Sequence, residues 1–93
     1  MKKVKAKIYL YKHKGRTTPF ISGYKPAFNF GDNNSFITGK IELIDMDKFL
    51  KGMLGEVYIY FNDTNNVVSE GKTFSINEPP IEIGEGEVLE IIK

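Results

Sequence analysis

From Lys3 to Lys12 the chain alternates. Val4, Ala6, Ile8 and Leu10 fall between Lys3, Lys5, Lys7 and Tyr9, a period of two that predicts a strand with one buried and one wet face. The same alternation returns in EVYIYF, where Val57, Ile59 and Phe61 oppose Tyr58 and Tyr60. SFITGKIELI places Ile37, Ile41 and Leu43 on one face, and Phe74 and Ile76 mark a strand in KTFSINE. Ala27 to Phe30 reads as a short aromatic strand, and IEIGEGEVLEII closes the chain as another. Gly39 predicts a bulge or a close backbone approach, and Gly84 and Gly86 predict bulges. Turns are expected at GDNN (31–34) and at NDTNN (62–66), and Pro79-Pro80 interrupts the pattern. DMDKFLKGMLG (45–55) is a single helical turn or an irregular loop, too short and too weakened by Gly52 for a stable helix. About six strands with no confident helix predict a small antiparallel barrel or sandwich. Closing a barrel removes the exposed strand edges.

One segment fits neither period. GRTTPFISGYKPAFNF, Gly15 to Phe30, is longer than an ordinary hairpin loop of two to five residues. Pro19 and Pro26 restrict the residues before them, and Phe20, Tyr24, Phe28 and Phe30 supply aromatic surface. Such a stretch is a packed wrap or a binding surface.

Composition narrows the picture. The 93 residues, 41% hydrophobic and 27% charged, suffice for one folded domain spanning 1–93. A net charge of +1 supplies no global basic field for nucleic acid. The absence of cysteine removes disulfides and thiolate metal sites and fits a reducing compartment. No apolar run approaches the roughly 20 residues of a membrane helix, and the lysine-interrupted N-terminus is not a signal peptide. A cytoplasmic location is expected.

Candidate chemistry is sparse. His13 is the single histidine, among Lys12, Lys14 and Arg16, and reads as a solvated loop residue. Glu78, Glu82, Glu85, Glu87 and Glu90 crowd the C-terminus. Paired carboxylates can do acid–base work, but their alternation reads first as a solvated strand face, and Glu85 with Glu87 could hold a hard cation only weakly. No G-x-S-x-G and no phosphate loop occur. No enzyme, cofactor, metal or GTP-binding site is therefore expected. Tyr9, Tyr11, Tyr58 and Tyr60 fall on outward strand faces, where bases could stack, although tyrosine is also a common cross-strand partner.

GRTTPFISGYKPAFNF followed by FITGKIEL closely resembles the start of the third domain of bacterial elongation factor Tu. FSINEPPIEIGEGEV resembles that domain's FAIREGGRTVGAGVV, and GEVYIYF and EGKTF fall at corresponding places. The likeness runs from about Lys5 to Ile91. It implies a six-stranded antiparallel β-barrel of the elongation factor Tu C-terminal-domain type. In the family this barrel follows a GTPase domain and a second barrel, and it binds: it packs on the GTPase domain, contacts the T-arm of aminoacyl-tRNA and meets the exchange factor.

Carried over by resemblance, Thr38 keeps the threonine of the family's DVTG, Glu78 keeps the glutamate of REGG, and Arg16 is retained. Lys25 replaces the arginine of GYRP and loses its planar fork. Ala27 stands for the glutamine of YRPQF, and Pro79, which has no N–H, for the glycine after the glutamate. Arginines are replaced at Gly31, Asn77 and Ile81. The candidate contact residues are thus Arg16, Lys25, Thr38 and Glu78. The expected function is a binding module in or near translation, its partner a protein such as a translational GTPase or an associated factor. Residual tRNA or RNA binding through Arg16, Lys25 and the N-terminal lysines is the second reading, and it is expected to be weak.

Overall fold

The computed structural model describes residues 1–31, 36–62 and 67–92. The turns expected at 31–34 and 62–66 lie, beyond Gly31 and Asn62, outside the described residues. Among the described residues the elements are β1 (Lys2–Leu10), β2 (Ala27–Asn29), β3 (Ile37–Leu43), β4 (Leu54–Phe61), β5 (Thr73–Glu78) and β6 (Ile81–Ile92). They close into an antiparallel barrel in the order β1-β4-β3-β2-β5-β6, so every strand has two neighbours.

Alternation decides what fills the barrel. Val4, Ala6, Ile8 and Leu10 of β1 and Val57, Ile59 and Phe61 of β4 are completely buried, while the intervening lysines and tyrosines face outward. The short β2 is held by its rings. Phe28 meets Phe61 edge-on with centroids 4.9 Å apart and Phe74 at 5.4 Å. Segment 45–55 forms no helix before β4 begins at Leu54. Phe49 turns into the core and exchanges backbone hydrogen bonds with Phe20 (3.1 and 2.8 Å).

The glycines need one correction. Gly84 and Gly86 are not the bulged residues. The register moves from Ile76–Gly84 to Asn77–Glu82 and from Lys5–Glu90 to Ala6–Val88, so the extra residues are Ile83 and Leu89. The two glycines are close approaches instead. A Cβ on Gly84 would lie 2.5 Å from the Tyr9 carbonyl oxygen, and one on Gly86 2.6 Å from that of Lys7. Gly39 is also a close approach, with the Phe28 ring edge 2.7 Å from where its Cβ would be.

Candidate functional site

The segment before β2 is a strap bonded along its length. Gly23 N–H donates to the Ile41 carbonyl (2.8 Å), Ile41 N–H donates to the Tyr24 carbonyl (2.8 Å), and Ser22 Oγ accepts from Leu43 N–H (2.8 Å). Phe20 and Phe28 are buried. Tyr24 is half-buried, its ring stacked on Phe20 at 4.6 Å, and Phe20 stacks on Phe49 at 5.3 Å. Gly15 enters the strap with φ +89°, against the Ile83 backbone, a conformation and a proximity that a side chain would not tolerate.

Two of the four candidate residues meet here. Arg16 Nη1 and the Tyr24 hydroxyl both donate to Oε2 of Glu78. Arg16 Nε donates to the Thr18 carbonyl (3.0 Å), Nη2 reaches Thr18 Oγ1 (3.2 Å) and the Pro19 carbonyl (3.3 Å), and the guanidinium lies over the Tyr24 ring at 4.7 Å. Strap and β5 are therefore clasped through side chains 62 positions apart. Thr38, exposed on β3, is opposite Ala27 of β2, which is opposite Asn77 of β5. Lys25 is exposed on the strap. The four residues thus separate into a clasped pair, Arg16 with Glu78, and two outward side chains, Thr38 and Lys25.

Tyr24 as a clasp member and Asn77 as a buried polar residue were not legible in the sequence. Asn77 lies on the same side of β5 as Ser75 and is nevertheless buried. Its Nδ2 donates to Ser75 Oγ (2.9 Å) and to the Ala27 carbonyl (3.4 Å). Tyr11, half-buried, reaches Glu82 and also Glu85 (3.0 Å). Both glutamates line an open cleft of about 660 Å³, together with Lys7, Tyr9, Ser75 and Glu87 among others. His13 is exposed. No group of three His, Cys, Asp or Glu among the described residues is placed to hold a metal ion.

The clasp sets its own electrostatics. Burial pushes the Glu78 carboxyl up, but hydrogen bonds from Tyr24 and Arg16, with the arginine's charge, outweigh it and hold the group below its ordinary 4.5. Burial first, and then the Glu78 carboxylate, push the Tyr24 hydroxyl well above its usual range. A carboxyl depressed on folding contributes stability above its unfolded pKa and loses it as pH falls through the folded one. The stability gap between the native protein and Glu78→Gln is therefore expected to be full at pH 6 and to shrink below pH 4.5. With the Glu78 side chain 40% exposed, solvent screening keeps the gap to about 1 kcal/mol. Thermal melts of both proteins between pH 3 and 7 check it. A gap that stays constant through the acid range would exclude the clasp as its source.

No protein-family model matches this chain.

Proposed function

We propose that this barrel is a non-enzymatic binding module of the elongation factor Tu third-domain type that acts in the cytoplasm by contacting a protein in or near translation, a translational GTPase or a factor associated with one. The two stretches that carry the resemblance are far apart in the chain, and the Arg16–Tyr24–Glu78 clasp joins them. The observation that favours a protein partner is the outer side of the strap. Phe20 and Phe49 point inward, while their neighbours Ile21 and Leu50 are 63% and 51% exposed. Apolar side chains presented on a bonded backbone lose little freedom when a partner covers them. Lys25, Lys48 and Lys51 are exposed nearby in the chain.

A tRNA contact is less well served. Arg16 is occupied within the clasp, Ala27 has no amide, Pro79 has no N–H, and Gly31, Asn77 and Ile81 carry no charge. Aminoacyl-tRNA is therefore expected to bind with a Kd no tighter than about 10⁻⁴ M at physiological salt, the weak end of non-specific binding. Low-micromolar affinity that falls on Thr38→Ala would put RNA first.

The protein contact is tested by calorimetric titration of the barrel into elongation factor Tu lacking its third domain, and separately into the exchange factor. Micromolar binding to one of them is expected, weakened at least tenfold, about 1.4 kcal/mol, by Ile21→Asp. Absence of binding to both would overturn the reading.

A further inference from the structure

We infer that the outer face of β1, β4 and β3 binds single-stranded nucleic acid, with Tyr58 and Tyr60 as stacking platforms and Lys3, Lys5 and Lys40 as phosphate contacts. This goes beyond the protein contact proposed for the strap and does not depend on it.

The register builds the face in rows. Lys3 of β1 is opposite Tyr60 of β4, which is opposite Lys40 of β3, and Lys5 is opposite Tyr58, which is opposite Glu42. The Lys3 ammonium lies 4.3 Å from the Tyr58 ring centroid and 5.4 Å from that of Tyr60, and the Lys40 ammonium lies 5.3 Å from Tyr60. Two aromatic rings thus sit side by side with ammonium groups on both flanks.

Chain geometry matches an extended polynucleotide. Residues two apart on a strand are about 6.8 Å apart, a spacing at which a stretched single strand can present successive bases. Non-specific single-strand binding combines a basic track with stacked aromatics, and both are present here. A base can take the ring face as the lysine moves to a phosphate, because a stacked base is worth more than an exposed cation over a ring.

Charge favours this side of the barrel. Lys3, Lys5, Lys7 and Lys40 face outward with only Glu42 and Glu56 among them. The Lys5–Glu56 contact (3.3 Å) joins partly exposed groups, and such pairs are weak enough to yield to a phosphate. The opposite flank of β1 is acidic, with Glu85, Glu87 and Glu90 along β6. Lys5 and Lys7 are themselves opposite Glu90 and Glu87, so the basic track runs from Lys3 across β4 to Lys40, away from β6. Thr38 lies two positions from Lys40 on the same side of β3, so the face adjoins one residue of the resemblance but extends away from Ala27 and Asn77.

The test is fluorescence anisotropy with a labelled twelve-base oligothymidine. A Kd of tens of micromolar is expected at 50 mM salt, with affinity falling about tenfold to twentyfold by 200 mM, the slope of roughly 2 expected when three phosphates are neutralised on a single strand. Tyr58→Leu with Tyr60→Leu should weaken binding at least tenfold and keep the slope, while the two Phe replacements should bind within twofold of the native protein. Lys3→Gln with Lys40→Gln should lower the slope by about 1.4. A duplex of equal length should bind at least tenfold more weakly. The inference is overturned if oligothymidine does not bind at 50 mM salt or the duplex binds as tightly. It is also overturned if the folded Leu variant binds like the native protein. Should the Leu variant fail to fold, an unchanged affinity and slope in the lysine variant overturns it instead.

Discussion

Phe28→Ala is expected to remove about 3–5 kcal/mol of stability, the range for deleting a buried aromatic ring. Phe28 is wholly buried and meets Phe61 and Phe74 edge to face, contacts that add to simple burial. The position matters as much as the ring. β2 is only three residues long, so its few ladder hydrogen bonds hold it weakly and the side chain ties it to β4 through Phe61 and to β5 through Phe74. A chain of this size has roughly 5–14 kcal/mol in total. The variant should therefore be partly unfolded at 25 °C or melt far below the native protein. Urea titration measures it. A loss under about 1 kcal/mol would mean that the site collapses around the gap and that β2 is held otherwise.

Gly86→Ala is expected to cost about 3 kcal/mol, the upper end of the overpacking range. Its new Cβ would lie 2.6 Å from the Lys7 carbonyl oxygen, 2.7 Å from Phe74 Cζ and 2.8 Å from Ile8 Cγ2. The first contact is backbone of the paired strand, so β1 and β6 must separate along a pairing that closes the barrel. Gly55→Ala is the comparison. Its nearest neighbour is the Phe49 ring edge at 3.2 Å, which can shift by a few tenths of an ångström, so the cost should be under about 1 kcal/mol. Equal losses at the two positions would show that close strand approach is not what glycine serves at 86.

Strand existence was legible because one face of each strand is buried and the side-chain period is two. Lys3 to Leu10 and Glu56 to Phe61 declare themselves this way, and both lie where the alternation puts them. β1 stops at Leu10 rather than Lys12, and Tyr11 continues only as a single backbone bond to Ile83 (2.9 Å). The bulges were misplaced because glycine signals both bulges and close approaches, whereas the bulged residues Ile83 and Leu89 carry ordinary side chains. Asn77 was hidden for another reason: the alternation of KTFSINE puts it on the Ser75 side, and its burial there depends on nonlocal packing. The strap was visible as something other than a loop, with Phe20, Tyr24, Phe28 and Phe30 as its aromatic surface, but whether that surface packs inward or binds a partner was left open. The clasp was not readable, since nothing local links Arg16 to Glu78 across 62 positions. Only the resemblance placed both residues among the candidates, and it did so as contacts for a partner rather than for each other.

The most direct test of the protein-binding account is a map of where a partner touches. Isotope-labelled barrel titrated with elongation factor Tu lacking its third domain should show amide shifts concentrated at residues 18–23 and 48–51, around exposed Ile21 and Leu50, and Ile21→Asp should abolish them. Shifts confined to the β5–β6 side, or none at saturating partner, would contradict it.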